Sequence, residues 1–161
     1  MPPDPTASGG PPPSVAFLLS KLGYEVSRDL RARLRPLGIE PRQFGLLRLL
    51  ARTDGVSQRA LGQMLEITAN RMVALIDDLE RKGLIERRSH PADRRAYAVS
   101  LTDTGAAVLD RAFEVAVGIE SEVCSRVNDV ERTQLLALLS KVAAPRGDAP
   151  SVHPGLLDQD S

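Results

Sequence analysis

The front of the chain repeats apolar residues at helical spacing. Ser14 can cap a first helix, and Pro36 with Gly38 would end it. Pro41 is suited to open a second helix, which the segment "TDG" at 53–55 would break. The apolar stripes that predict these helices are Leu18, Leu22, Val26, Leu30 and Leu34 in the first, and Phe44, Leu47 and Ala51 in the second.

Two shorter helices joined by a tight turn are predicted next. Ser57 would cap the first of them and Thr68 the second. Gly83 is placed to end the second helix. The apolar residues of this helix recur at i, i+3, i+4 and i+7, as expected of one buried face: Met72, Leu75, Ile76 and Leu79.

A β-hairpin is predicted after Gly83. The segment "LIER" begins a first strand, and "AYAVSL" forms a second. In the second strand Ala96, Ala98 and Ser100 alternate with Tyr97, Val99 and Leu101, so burial is expected on one face only. The charged segment "RSHPADRR", residues 88–95, would form the tip of the hairpin.

Two helices close the folded part. Thr102 would cap a long helix, and Asn128 with Glu131 is a capping-box pattern that would open the last one. The apolar positions of the two helices are Leu109, Ala112, Phe113, Ala116, Ile119, Val123 and Val127, then Leu135, Leu138, Leu139 and Val142. The predicted order of four helices, two strands and two helices is a mainly α (α+β) fold.

Composition sets further limits. Residues 1–13 and 145–161 are rich in Pro, Gly and small polar residues, so they are predicted to be disordered tails around one domain at 14–144. With 3% aromatic residues, the core must be aliphatic. A single cysteine, Cys124, excludes an intrachain disulfide. Neither a membrane span nor a signal peptide is predicted, so a cytoplasmic protein is expected.

The net charge of zero hides an uneven distribution. Residues 1–101 hold 16 Lys/Arg against 11 Asp/Glu, whereas residues 102–161 hold 5 against 10. The basic front indicates an anionic partner; the alternative is that solvated faces differ in charge by chance.

Two short helices followed by a charged hairpin match a winged helix-turn-helix, which can place its second helix in the major groove of DNA. Near the start of that helix, Asn70 can bond to an adenine edge, Arg71 to guanine or phosphate, and Val73 to a thymine methyl group. The other contacts expected from the two helix starts are Ser57, Gln58, Arg59, Thr68 and Ala69.

Residues 87–95 of the predicted hairpin bring four arginines together with one aspartate. Like charges this close repel one another, and a phosphate backbone or a narrow minor groove would relieve the repulsion. The aspartate can accept hydrogen bonds from a nearby guanidinium and hold it extended. All five are predicted DNA contacts, with a solvated charged hairpin as the alternative: Arg87, Arg88, Asp93, Arg94 and Arg95.

Residues 57–105 resemble the MarR family of bacterial transcriptional regulators. The most specific match is a D-x-R pattern, Asp93 to Arg95, followed by L-T-x-x-G, Leu101 to Gly105. The segment "LERKGLIERR" before it agrees as well. With the flanking helices, the resemblance covers about residues 15–143.

The resemblance implies a homodimer whose first and last two helices interlock, here 14–38 and 102–144, beside DNA-binding lobes at 57–101. The two lobes would bind successive major grooves of a palindromic operator. Arg95, oriented by Asp93, would enter the flanking minor groove. Most members are repressors released by a small anionic or phenolic ligand. The long apolar stripes of the terminal helices independently favour a dimer.

Several sensing schemes are open. Lys21, Tyr24, Arg28 and Arg48 lie on the first two helices, where the family places its ligand; the alternative is solvation or packing. A redox sensor would use Cys124, although a lone cysteine late in a helix is more often a small buried residue. No metal site or cofactor is predicted, because the two histidines, His90 and His153, do not cluster.

Two other classes of protein are alternatives to a regulator. An enzyme is not expected, because no nucleophile, base and acid can be assembled from two histidines so placed, and no phosphate-binding glycine loop is present. A winged-helix module that binds only protein is the remaining alternative. It would have no salt-dependent affinity for DNA.

Overall fold

The computed structural model describes residues 14–53, 55–65, 67–90 and 93–143, with the backbone alone at 89, 90 and 93–96. The predicted tails, 1–13 and 145–161, lie outside the described residues. A mainly α fold with a small antiparallel sheet is confirmed. Its elements are α1 Val15–Leu34, α2 Pro41–Arg52, β1 Val56–Ser57, α3 Gln58–Leu65, α4 Ala69–Arg81, β2 Ile85–His90, β3 Asp93–Leu101, α5 Asp103–Val123 and α6 Asp129–Ala143.

Most helix starts carry the side-chain cap that the sequence predicts. The Ser14 hydroxyl accepts a hydrogen bond from the backbone amide three residues later at 3.1 Å, and the Ser57 hydroxyl does the same at 3.2 Å. The carboxamide oxygen of Asn128 accepts from the Glu131 amide at 3.0 Å, while the Glu131 carboxylate accepts from the Asn128 amide at 2.9 Å. The prediction for Thr68 is wrong in one respect, because it precedes α4 but its side chain makes no capping hydrogen bond.

The sheet has a third strand that the sequence did not reveal. Its order is β1-β3-β2, with Val56 of β1 opposite Val99 of β3. The strands of the hairpin are also longer than predicted, since His90 still pairs with Asp93. The expected alternation along β3 is wrong: residues 98, 99 and 100 are all buried. Both faces are covered there because α2, α3 and α5 all contact this central strand.

The segment "LTDTG" fixes the start of α5 against the end of α4. The Thr102 hydroxyl donates to the Gly83 carbonyl at 2.6 Å and accepts from the Gly105 amide at 3.0 Å. The Thr102 amide donates to the Leu84 carbonyl at 3.2 Å. Gly83 has a φ of 69°, a left-handed conformation that favours glycine. The hairpin and α5 therefore leave this joint in fixed directions.

One aliphatic core lies between the helices and the sheet. The face of α4 predicted to be buried is buried, and it packs with α2, α3, β3 and part of α5. On α1 only the end, at Leu30 and Leu34, is buried, and α6 contributes no buried residue. The exposed apolar side chains of these helices include Val15, Phe17, Leu18, Leu22, Val130, Leu135, Leu136, Leu138 and Val142.

Candidate nucleic-acid interface

The first turns of α4 present a solvent-exposed face opposite the core. Thr68, Ala69, Asn70, Arg71 and Val73 are all exposed, whereas Met72 between them is buried. This separation follows from the helical repeat, because residues three and four apart share one side. A helix presented in this way can lie in a major groove with these side chains towards the base edges.

A depression of about 540 Å³ runs between α3 and the turn that leads into α4. Gln58, Arg59 and Gly62 line one side of it, and Ala69 lines the other. Arg59 is exposed and Gln58 is half-buried. The Ser57 hydroxyl accepts a hydrogen bond from the Ala60 amide at the start of α3, so it already has a partner within the chain.

Arg87, in the first strand of the β-hairpin (the wing, β2 and β3), is bound within the chain. The Arg87 guanidinium forms ion pairs with Asp77 and Glu80 of α4, and its backbone amide donates to Glu80 at 3.3 Å. The Arg87 side chain is 21% exposed. Burial acts to lower the pKa of Arg87, but the hydrogen bonds and charges of Asp77 and Glu80 outweigh it, so that pKa is raised above its ordinary value.

Of the other wing residues predicted to contact DNA, only Arg88 has a described side chain. Arg88 is exposed and forms an ion pair with its strand neighbour Glu86. The side chains of Asp93, Arg94 and Arg95 lie outside the described residues, although their backbone belongs to β3. The predicted repulsion among the four arginines is offset at Arg87 and Arg88, since each has a carboxylate partner.

A buried glutamine that the sequence did not single out links α2 to the end of α4. Gln43 is 2% exposed, its oxygen accepts from the Glu40 amide at 2.9 Å and from Lys82 Nζ at 3.1 Å, and its nitrogen donates to Asp78. The hydrogen bond from Lys82, with those from Arg81 and Gln43, holds the pKa of Asp78 below its ordinary value. The acidic residues of α4 thus all pair within the lobe.

The four candidate effector residues do not share one environment. Tyr24 is 70% exposed, Lys21 is exposed, and Arg28 lies 3.4 Å from its neighbour Asp29. Arg48 is different, because its guanidinium lies over two aromatic rings. The carbon at its centre is 5.5 Å from the ring centroid of Phe44 on α2 and 5.8 Å from that of Phe113 on α5.

Cys124 directly follows α5 and is half-buried. Its sulfur lies 3.7 Å from a carboxylate oxygen of Glu120, and the same oxygen accepts two hydrogen bonds from Arg132 of α6 at 3.0 and 2.9 Å. Among the described residues, no three His, Cys, Asp or Glu side chains are grouped as metal ligands. No helix in the described part of the chain is long and apolar enough to cross a membrane.

Comparison with known proteins agrees with this geometry. Residues 37–96 match the family model described as MarR family. The HTH-type transcriptional regulator PecS of Dickeya dadantii is 29% identical over 134 residues, which is 81% of each chain. The transcriptional repressor CouR bound to a 23-mer DNA duplex is 31% identical, with a TM-score of 0.71 over 81% of this chain and 92% of that one.

A second structure of CouR carries a small molecule. CouR from Rhodococcus jostii RHA1 bound to p-coumaroyl-CoA is 27% identical, with a TM-score of 0.68 over 83% of this chain and 94% of that one. PecS is thus a transcriptional regulator and CouR a transcriptional repressor. A helix-turn-helix with an exposed α4, the adjoining β-hairpin and these matches place the chain in the MarR family of transcriptional regulators.

Proposed function

We propose that this protein is a sequence-specific DNA-binding repressor that acts as a homodimer on a palindromic operator. The observation that carries the proposal is the exposed start of α4. This helix follows α3, which buries Leu61 and Leu65, and it adjoins a β-hairpin, as in a repressor whose structure contains DNA. In this arrangement α4 enters the major groove, and the hairpin reaches the neighbouring minor groove.

Base reading is assigned to three side chains of α4. The Asn70 carboxamide can form two hydrogen bonds with adenine, the Arg71 guanidinium suits guanine or a phosphate, and the Val73 methyl groups suit thymine. Thr68 and Ala69 lie beside them, and Gln58 with Arg59 lies across the depression, where phosphates of the groove edge would pass. Asp93, Arg94 and Arg95 are proposed to make the wing contacts, with Arg88 on a phosphate.

The homodimer is supported by apolar surface that one chain leaves uncovered. Helix α6 has no buried residue, although it carries large apolar side chains: Leu136 and Leu138 are 67% and 60% exposed. The N-terminal half of α1 is apolar and exposed as well. Continuous apolar faces of this kind are typical of an interface. A twofold dimer would present two α4 helices about one helical turn of DNA apart, which suits a palindrome.

Release by a small carboxylate or phenol is proposed for the region between the terminal helices and the DNA-binding lobe. Arg48 supports this proposal, because its guanidinium is held over Phe44 and Phe113 where α2 meets α5. An acid could pair with it there, together with Lys21, Tyr24 or Arg28 from α1. The CouR structure with p-coumaroyl-CoA supports an effector with a phenolic acyl group.

A gel-shift titration against the region upstream of the protein's own gene tests the proposal. The expected result is a saturable shift that survives excess unrelated DNA and weakens steeply with added salt. A protein-binding module would give no such shift. Peroxide treatment of the dimer separates the redox alternative, because an effector mechanism leaves operator affinity unchanged when Cys124 is oxidised.

A further inference from the structure

The contact between Arg87 and α4 joins two rigid elements. Asp77 and Glu80 are three residues apart and therefore share one side of α4. Arg87 lies in β2 opposite Val99, a fully buried residue of the central strand. Arg87, Asp77 and Glu80 are here called the Arg87 cluster. Its ion pairs connect α4 to the fixed part of the hairpin and not to its tip.

Glu80 holds the strand in two ways. One carboxylate oxygen pairs with the Arg87 guanidinium, and the other accepts the Arg87 backbone amide at 3.3 Å. A single side chain therefore fixes both the strand backbone and its arginine. Arg87 is also the less exposed of the two described wing arginines, at 21% against 66% for Arg88.

Carboxylates on a helix that enters DNA are unfavourable because they repel phosphates, so their presence on α4 indicates another role. Asp78 contacts Lys82 at the end of its own helix and Gln43 of α2, and the second contact joins α4 to α2. Asp77 and Glu80 instead form ion pairs with Arg87. The positive charge of Arg87 is satisfied inside the lobe, so it is poorly placed to neutralise a phosphate as well.

We propose that the Arg87 cluster sets the angle between α4 and the wing, and that Arg87 is a positioning residue for DNA binding and not a phosphate contact. The proposal rests on the DNA-binding function proposed above. Under this proposal two carboxylates of α4, those of Asp77 and Glu80, are necessary for binding DNA, which is itself a polyanion. Loss of the cluster would leave α4 able to enter the major groove while the wing no longer meets the backbone at a fixed angle.

The two roles of Arg87 predict opposite effects of Glu80→Gln. If Arg87 contacted a phosphate, this substitution would free the guanidinium, remove a negative charge and tighten binding. If the cluster positions the wing, the same isosteric substitution weakens binding. Glu86→Gln is the matched control, since it removes a carboxylate from the same strand but belongs to the exposed pair with Arg88.

Anisotropy titrations with a selected operator over a range of salt concentrations separate these outcomes. We expect Glu80→Gln and Asp77→Asn to weaken binding, Glu80→Gln by about tenfold, while Glu86→Gln does not weaken it. Arg87→Gln should weaken binding with an unchanged salt slope, whereas loss of a phosphate contact lowers the slope by about 0.9. The double variant Glu80→Gln/Arg87→Gln should bind no worse than either single variant.

Thermal unfolding of each variant checks that the fold is intact. If Arg87→Gln unfolds, Asp77→Asn takes its place as the test variant, because it keeps the ion pair between Arg87 and Glu80. Tighter or unchanged binding by Glu80→Gln, or a reduced salt slope for Arg87→Gln, would overturn the positioning role. Failure of the proposed function has a different signature, because the wild-type protein itself would then lack sequence-preferring, salt-dependent binding.

Discussion

The carbonyl group of Leu84 occupies the space that a side chain at Gly105 would need. A Cβ at residue 105 would overlap the Leu84 oxygen and come within 2.8 Å of its carbonyl carbon. Backbone atoms at the base of the wing cannot move aside as a flexible side chain can. The glycine of "LTDTG" is therefore required by close packing between α5 and the start of the hairpin.

Gly105→Ala should destabilise the protein by about 3 kcal/mol, the upper part of the range for overpacking a well-packed site. Gly118→Ala is a matched control in the same helix, because its nearest neighbour is the end of the Arg33 side chain at 3.8 Å. Alanine there should be neutral or stabilising by up to about 1 kcal/mol. Urea unfolding measures both, and equal stability of the two variants would contradict the packing account.

Gln43→Met should cost about 2 kcal/mol in the free energy of unfolding. The substitution removes the partner of the Glu40 amide and one partner of Asp78 at a site that is 2% exposed, and unpaired polar groups there are costly. Gln63→Met is the control, because Gln63 is exposed. A loss of stability in the control as large as that at residue 43 would argue against the buried link.

Asp78 should contribute to the acid sensitivity of the fold. Its pKa is lowered from 3.8, chiefly by the hydrogen bond from Lys82, so its contribution is fully present above that value and is lost as pH falls through the lower, folded-state pKa. The stability difference between wild type and Asp78→Asn should therefore shrink below about pH 4. Urea unfolding from pH 7 to pH 3 checks this, and a constant difference would contradict it.

Leu138→Glu should convert the proposed dimer to monomers. A carboxylate buried without a partner in the proposed interface would cost about 3 kcal/mol or more, which raises the dissociation constant more than about 100-fold. Ser140→Glu is the control, because it adds the same charge two residues away on the other side of α6. Sedimentation equilibrium measures both variants, and an intact Leu138→Glu dimer would remove α6 from the interface.

The local parts of this fold could be predicted because they depend on neighbours in sequence. The caps at Ser14, Ser57 and Asn128 each use an amide two or three residues away, and the buried face of α4 follows its own repeat. The family motif at Asp93 to Gly105 likewise indicates DNA binding from the sequence alone.

The parts that could not be predicted depend on distant residues. Strand β1 is two residues long and exists through pairing with Val99 and Ala98. Double-sided burial of β3 likewise needs three helices around it. The sequence predicts the same role for Arg87 as for the other wing arginines, because it shows the charge of Arg87 but not the carboxylates of α4 beside it.

The central claim is that α4 reads base edges, and the Asn70→Ala variant tests it most directly. Its affinity, with that of wild type, would be measured for the selected operator and for every single base-pair substitution of it. We expect a loss of about 1–3 kcal/mol on the preferred operator and loss of discrimination at one position in each half-site. Glu114→Ala, exposed on α5, should change neither quantity. Base preferences in Asn70→Ala identical to those of wild type would contradict the account.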